Sequence, residues 1–125
     1  MKLSSPPPRQ HNDNFSILSE MKSCYKLWCG FLNKIPRNIR YTLATKIDNL
    51  FIEILEIALL AKFKKTEEKI VKLKILDEKL SVLKYFITIL WEIKALDTNK
   101  YSLLADKLAL TGRMIGGFFN KKKNS

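Results

Sequence analysis

"LKILDEKLSVLKYFITIL", residues 73–90, decides the fold. Leu73, Leu76, Leu80, Leu83, Ile87 and Leu90 recur at alternating steps of three and four, which lines one side of an α-helix as a coiled-coil seam. A second apolar set, Ile75, Val82, Phe86, Ile89 and Ile93, lies off that seam. One apolar face suffices for packing inside a bundle; two need a further partner or a helix enclosed on all sides. No helix is central in a four-helix bundle, so the second face reads as a contact between subunits. The helix is expected over about Glu67 to Leu96. Thr66 is the expected N-cap, with Glu67 and Glu68 on the positive end of the dipole.

Upstream, Ile39, Leu43, Ile47, Leu50, Ile54, Ile57 and Ala61 form the inner stripe of a helix from about Arg37 to Lys62, with Phe51, Leu55 and Ala58 beside it. Pro36 separates that helix from an earlier one striped by Leu18, Met21, Tyr25, Trp28 and Leu32. Downstream, Asp97 or Thr98 caps a fourth helix to about Asn120, with Tyr101, Leu104, Leu108, Ile115 and Phe119 on one side. Residues 1–14, polar and Pro-rich, read as a disordered tail, 15–120 as the folded body and 121–125 as a basic tail. Connections are short and no strand signal competes. The expected fold is therefore an all-α, up-down-up-down four-helix bundle.

The segment "TGRMIGGFFNKKK" (111–123) places glycines beside basic residues, which suggests either a phosphate cradle or close helix packing. A phosphate loop precedes a helix, so that free N–H groups face the anion. These glycines end one, and neither nucleotide fingerprint is present. Gly112 and Gly116 instead continue the small-residue stripe of Ala105 and Ala109, which favours close approach by another helix.

The chain has 125 residues, 46% of them hydrophobic, and a formal charge of +11. The first 20 residues are charge-balanced (Lys2 and Arg9 against Asp13 and Glu20), so the whole excess lies on the folded part. Such a body suits a polyanion, either nucleic acid or an anionic membrane, and a lysine-rich solvated surface is the alternative. Lys62, Lys64, Lys65, Lys69, Lys72 and Lys74 cluster around the turn before the long helix, and Lys62, Lys64 and Lys65 are taken as nucleic-acid contacts. Single-strand stacking is not expected, because Trp28, Phe51, Phe86, Trp91 and Phe119 all fit apolar faces.

Catalysis has little support. The single histidine, His11, is in the tail, and Asp48, Glu53 and Glu56 lack the Glu-x-x-His partner of a di-metal bundle. No cofactor is expected. Cys24 and Cys29 stand five apart and read as reduced thiols. No signal-peptide core or membrane-length apolar run occurs, so a soluble, cytoplasmic protein without a membrane partner is expected.

Three stretches, "YKLWCGFLNKIPRNIRYTLATKIDNLFIEILEIALLA" (25–61), "KLSVLKYFITILWEIKAL" (79–96) and "YSLLADKLALTGRMIGGFF" (101–119), together resemble the four-helix-bundle Avd-like proteins, the accessory variability determinants of diversity-generating retroelements. That family is related to proteins encoded in intervening sequences of bacterial 23S ribosomal RNA genes. The resemblance implies a homopentameric barrel without an active site. It further implies a partner reverse transcriptase and the template-repeat RNA, or RNA/DNA hybrid, that the enzyme copies. It places Arg37, Arg40, Lys46, Lys84 and Arg113 at positions that tend to be basic in such proteins. Up-down topology keeps Arg113 at a different pole from Arg37, so a basic strip is expected in place of one pocket. Relatives often carry glycine at Ala44, aspartate at Ser81, arginine at Thr88 and tryptophan at Phe118. Alternatives are a bundle of the ribosomal intervening-sequence type or a scaffold that binds only protein.

Overall fold

The computed structural model describes residues 13–123, and side-chain surroundings over 16–121. The tail expected over 1–14 lies outside the described residues, apart from Asp13 and Asn14, which are helical. The described residues are helical throughout, joined by short turns. They comprise α1 (Asp13–Phe31), a 3₁₀ turn (Leu32–Lys34), α2 (Arg37–Ile39), a π turn (Arg40–Ala44), α3 (Thr45–Lys62), α4 (Thr66–Glu92) and α5 (Thr98–Lys123). α2, the π turn and α3 run on without a break, so four helical rods make a four-helix bundle.

Side-chain contacts fix an antiparallel order. Trp28 on α1 stacks on Phe51 of α3 at 6.0 Å, and its indole N–H donates to Asp48 Oδ1 at 3.2 Å. Lys79 of α4 pairs with Glu53 of α3 at 3.1 Å. Trp91 and Tyr101 stack at 4.6 Å across α4 and α5, and Thr88 Oγ1 is 3.1 Å from the Tyr101 hydroxyl. Lys107 of α5 reaches Glu20 of α1 at 3.7 Å, which closes the ring of four.

The expected seam of α4 is the one that is buried: Leu73, Leu76, Leu80, Leu83, Ile87 and Leu90. On α1 the core face is turned by about one residue from expectation. Ile17, Met21, Cys24 and Trp28 are buried, while Leu18, Tyr25 and Leu32 are half-buried. Burial pushes the Cys24 thiol up to about 12, so it stays neutral inside. On α5 the buried positions are Leu104, Leu108, Thr111, Ile115 and Phe118; Tyr101 and Phe119 are only half-buried. Thr111 returns its hydroxyl to the Lys107 carbonyl at 3.1 Å, which satisfies the one buried polar side chain of the core among the described residues.

The π turn accounts for a third difference. A helix of uniform pitch would bury Leu43, but the wider turn advances the phase so that Ala44 is buried at 1% exposure and Leu43 stays half-buried. Helix ends depart from expectation too. Thr66 is the first helical residue, and the extended Lys65 precedes it without a side-chain cap bond. α4 stops at Glu92, four residues early. Lys94, at φ 67°, then takes the left-handed position that usually holds glycine. Its N–H bonds the Trp91 carbonyl at 2.9 Å, and Ala95 N–H bonds the Leu90 carbonyl at 3.0 Å, the paired bonds of a Schellman motif. Asp97 then caps α5, accepting from the Lys100 N–H at 2.9 Å and from Lys100 Nζ at 2.7 Å. These bonds hold the Asp97 carboxyl below the usual carboxylate range. α5 continues to Lys123, so Lys121, Lys122 and Lys123 extend the last helix.

Candidate nucleic-acid interface and assembly face

The basic residues fall at three levels. Arg37 and Arg40 stand at the pole where α2 begins; Arg37 is exposed and Arg40 half-buried in the π turn. Lys62, Lys64 and Lys65 sit at the opposite pole, in the turn between α3 and α4. At 1.5 Å per residue the two groups are about 37 Å apart, so they form no single pocket. Lys46 is exposed between them, seven residues before Glu53 and hence on the same flank of α3, which faces α4. Lys84 lies across from Gly112, the residue before the exposed Arg113. The Lys84 ammonium lies 3.4 Å from the point a Cβ on Gly112 would occupy, and Lys84 edges the α4–α5 groove.

The ion pairs among the described residues use other cations: Lys79 with Glu53, Lys100 with Asp97, and Lys107 with Glu20. None of Arg37, Arg40, Lys46, Lys64, Lys65, Lys84 and Arg113 is in an ion pair among the described residues. Lys62 is engaged within the chain, its ammonium 5.4 Å from the centre of the Phe63 ring. At Arg40 the Nε atom is buried without a hydrogen-bond partner among the described residues. Glu53, Asp97 and Glu20 are committed to those other cations. Among the described residues no group of His, Cys, Asp and Glu could hold a metal ion, and no helix is long and apolar enough to cross a membrane.

The second apolar set of α4 is largely on the surface. Ile75, Val82 and Ile93 are 43%, 42% and 49% exposed, whereas Phe86 and Ile89 are half-buried. Val71 and Tyr85 extend this outer stripe, which lies opposite the core seam. Gly112 meets only the Lys84 ammonium and Leu80 Cδ2 at 3.9 Å, and a Cβ on Gly116 would meet nothing within 4 Å. Inside one chain, then, the glycines admit no neighbouring backbone. Ala105 and Ala109 line a groove between α4 and α5, floored by Ile87 and Leu108 and edged by Lys84.

Sequence reasoning missed Tyr41, Phe63 and Tyr85, the most exposed aromatics described. The signal was available: each adjoins a basic residue (Arg40, Lys62 with Lys64, and Lys84) and falls off its helix's core stripe.

Fold and surface together define a class: an antiparallel four-helix bundle with uncommitted positive charge and one helix apolar on both sides. A family model described as bAvd-like matches residues 21–122, and the chain belongs to that family. No curated protein and no solved structure matches it.

Proposed function

We propose that this chain is a non-catalytic accessory protein of a diversity-generating retroelement. It acts in the cytoplasm as a homopentamer that holds a partner reverse transcriptase on its template-repeat RNA or RNA/DNA hybrid. Membership of the bAvd-like family makes the bundle an Avd-like one. The observation that carries the reading is the set of seven cations left without ion pairs on a folded body. A polyanion neutralises such charges by releasing its counterions, with affinity that falls steeply with salt and depends little on sequence. The outer stripe of α4 supports assembly, because each half-exposed Ile or Val forgoes about 1 kcal/mol that a neighbouring subunit would recover.

Light scattering on a sizing column tests the assembly. Five copies of a 14.6 kDa chain give about 73 kDa, and a clean monomer would remove the pentamer from the reading. Titration of structured RNA across a salt series tests the surface. Arg37→Ala with Arg40→Ala should leave the helical signal unchanged and lower the log–log salt slope by about 1.5, the share of two phosphate contacts. Absence of RNA binding by the wild type would favour a scaffold that binds only protein.

A further inference from the structure

The three most exposed large apolar side chains are all aromatic: Phe63 at 73%, Tyr41 at 72% and Tyr85 at 64%. The remaining rings with described surroundings are buried or half-buried, and no aliphatic side chain exceeds the 58% of Val71. Chance placement would scatter such rings among acidic, neutral and basic neighbours. Here each directly adjoins a cation that takes part in no ion pair: Phe63 precedes Lys64, Tyr41 follows Arg40 and Tyr85 follows Lys84. Tyr85 also belongs to the outer stripe of α4, which gives it a second use, and Tyr41 is part of the π turn. Phe63 has neither connection. It stands on the turn between α3 and α4, off both core seams.

That turn is built to hold a ring in water. Phe63 N–H bonds the Leu60 carbonyl at 3.2 Å and Lys64 N–H bonds the Ala61 carbonyl at 3.1 Å, so the backbone carrying the ring is pinned. The Lys62 ammonium lies 5.4 Å from the ring centre, within cation–π range. Lys64 and Lys65 are exposed on the C-terminal side, and the extended Lys65 leads directly into α4. Exposed Glu67 and Glu68 follow at once, which limits the positive surface to a narrow track. An aromatic platform beside a short run of cations is how proteins take single strands: the ring stacks on a base and the cations meet its phosphates. A duplex hides its base faces and has no use for the ring.

We propose that the turn over residues 62–65 binds one unpaired base of a single-stranded nucleic acid, with Phe63 stacking on the base and Lys64 and Lys65 meeting the flanking phosphates. The site rests on the nucleic-acid reading above and narrows it to single-stranded segments of template or product. The rings that the sequence sets aside as core leave this open, because Phe63 is not among them.

The test compares a uridine homopolymer with an RNA duplex of matched length, by fluorescence anisotropy at one salt concentration, using the full chain. Phe63→Ala is expected to weaken single-strand binding roughly tenfold while leaving duplex affinity and the melting temperature unchanged. Phe63→Trp is expected to keep wild-type affinity and to show emission quenched by the single strand, a quench absent from the wild type. Equal loss on both ligands, no loss on the single strand, or Phe63-dependent binding confined to phosphatidylserine vesicles would each overturn the site. Wild-type protein that binds neither RNA overturns both this site and the reading it rests on. Wild-type protein that binds both, with Phe63→Ala unaffected, overturns the site alone.

Discussion

Lys94→Gly should stabilise this protein by about 0.5–1 kcal/mol. Lys94 holds φ 67° in the Schellman turn that ends α4. An L-residue in the left-handed region loses roughly 1–2 kcal/mol to the approach of its Cβ to the following carbonyl, and glycine avoids that cost. Glycine also gains freedom in the unfolded chain, which takes back about 0.4–1 kcal/mol. The balance favours glycine by about 0.5–1 kcal/mol, because the two capping bonds, at 2.9 and 3.0 Å, use backbone atoms that the substitution leaves in place. Lys94 is exposed and takes part in no ion pair, so little side-chain energy is forfeited. For a domain of this size the melting temperature should rise by roughly 2–6 °C. Urea unfolding at fixed protein concentration, followed by circular dichroism, reads the change as a higher midpoint at constant slope. Lys94→Ala is the control, since it keeps the Cβ, and should stay within about 0.5 kcal/mol of wild type. A Lys94→Gly variant no more stable than Lys94→Ala would refute the strain argument.

Two further outcomes follow from packing. Gly116→Leu introduces no clash within the chain and adds about 1 kcal/mol of helix propensity. Its expected effect is a fall in native mass on a sizing column with the helical signal retained; an unchanged mass would place the α5 small-residue stripe outside any subunit contact. Cys29 is exposed and Cys24 is buried with its thiol raised to about 12, so iodoacetamide should modify one thiol in the native protein and two in urea. Native double labelling by mass spectrometry would contradict the burial of Cys24.

What the sequence disclosed tracks how unambiguous each pattern is. The α4 seam was legible because Leu73, Leu76, Leu80, Leu83, Ile87 and Leu90 keep an unbroken alternation of three and four, which the second apolar set does not. On α1, Ile17 competes with Leu18 and Cys24 with Tyr25, so two stripes about 100° apart fit the same text. Packing decides between them: small Cys24 goes inside, and Tyr25 stays at the edge near Asp48 and Cys29, where partial burial and hydrogen bonding raise its hydroxyl pKa. The π turn left no trace in composition, since an extra residue per turn shifts phase without demanding any residue type. Basic positions could be named from sequence, but their freedom from ion pairs could not. That depends on which carboxylates fold within reach, as Glu53 does for Lys79 and Glu20 for Lys107. Phe63 was passed over although its basic neighbours and its place off the core stripe marked it, because a phenylalanine one residue past a helix end also reads as a core plug.

The wide turn at Arg40–Ala44 has a consequence for how this surface can change. It lies between the core-packed length of α3 and the short α2 that carries Arg37, and Arg40 is its own first residue. In a continuous α-helix the direction of those arginines would be locked to the core stripe at 100° per residue. One residue gained or lost in the wide turn re-indexes them instead, swinging both around the rod axis by about that angle while Ile47, Leu50 and Ile54 stay seated. Here, then, an insertion or deletion is a smaller change than a core substitution. It steers the arginines toward a differently shaped partner and leaves the bundle as it was.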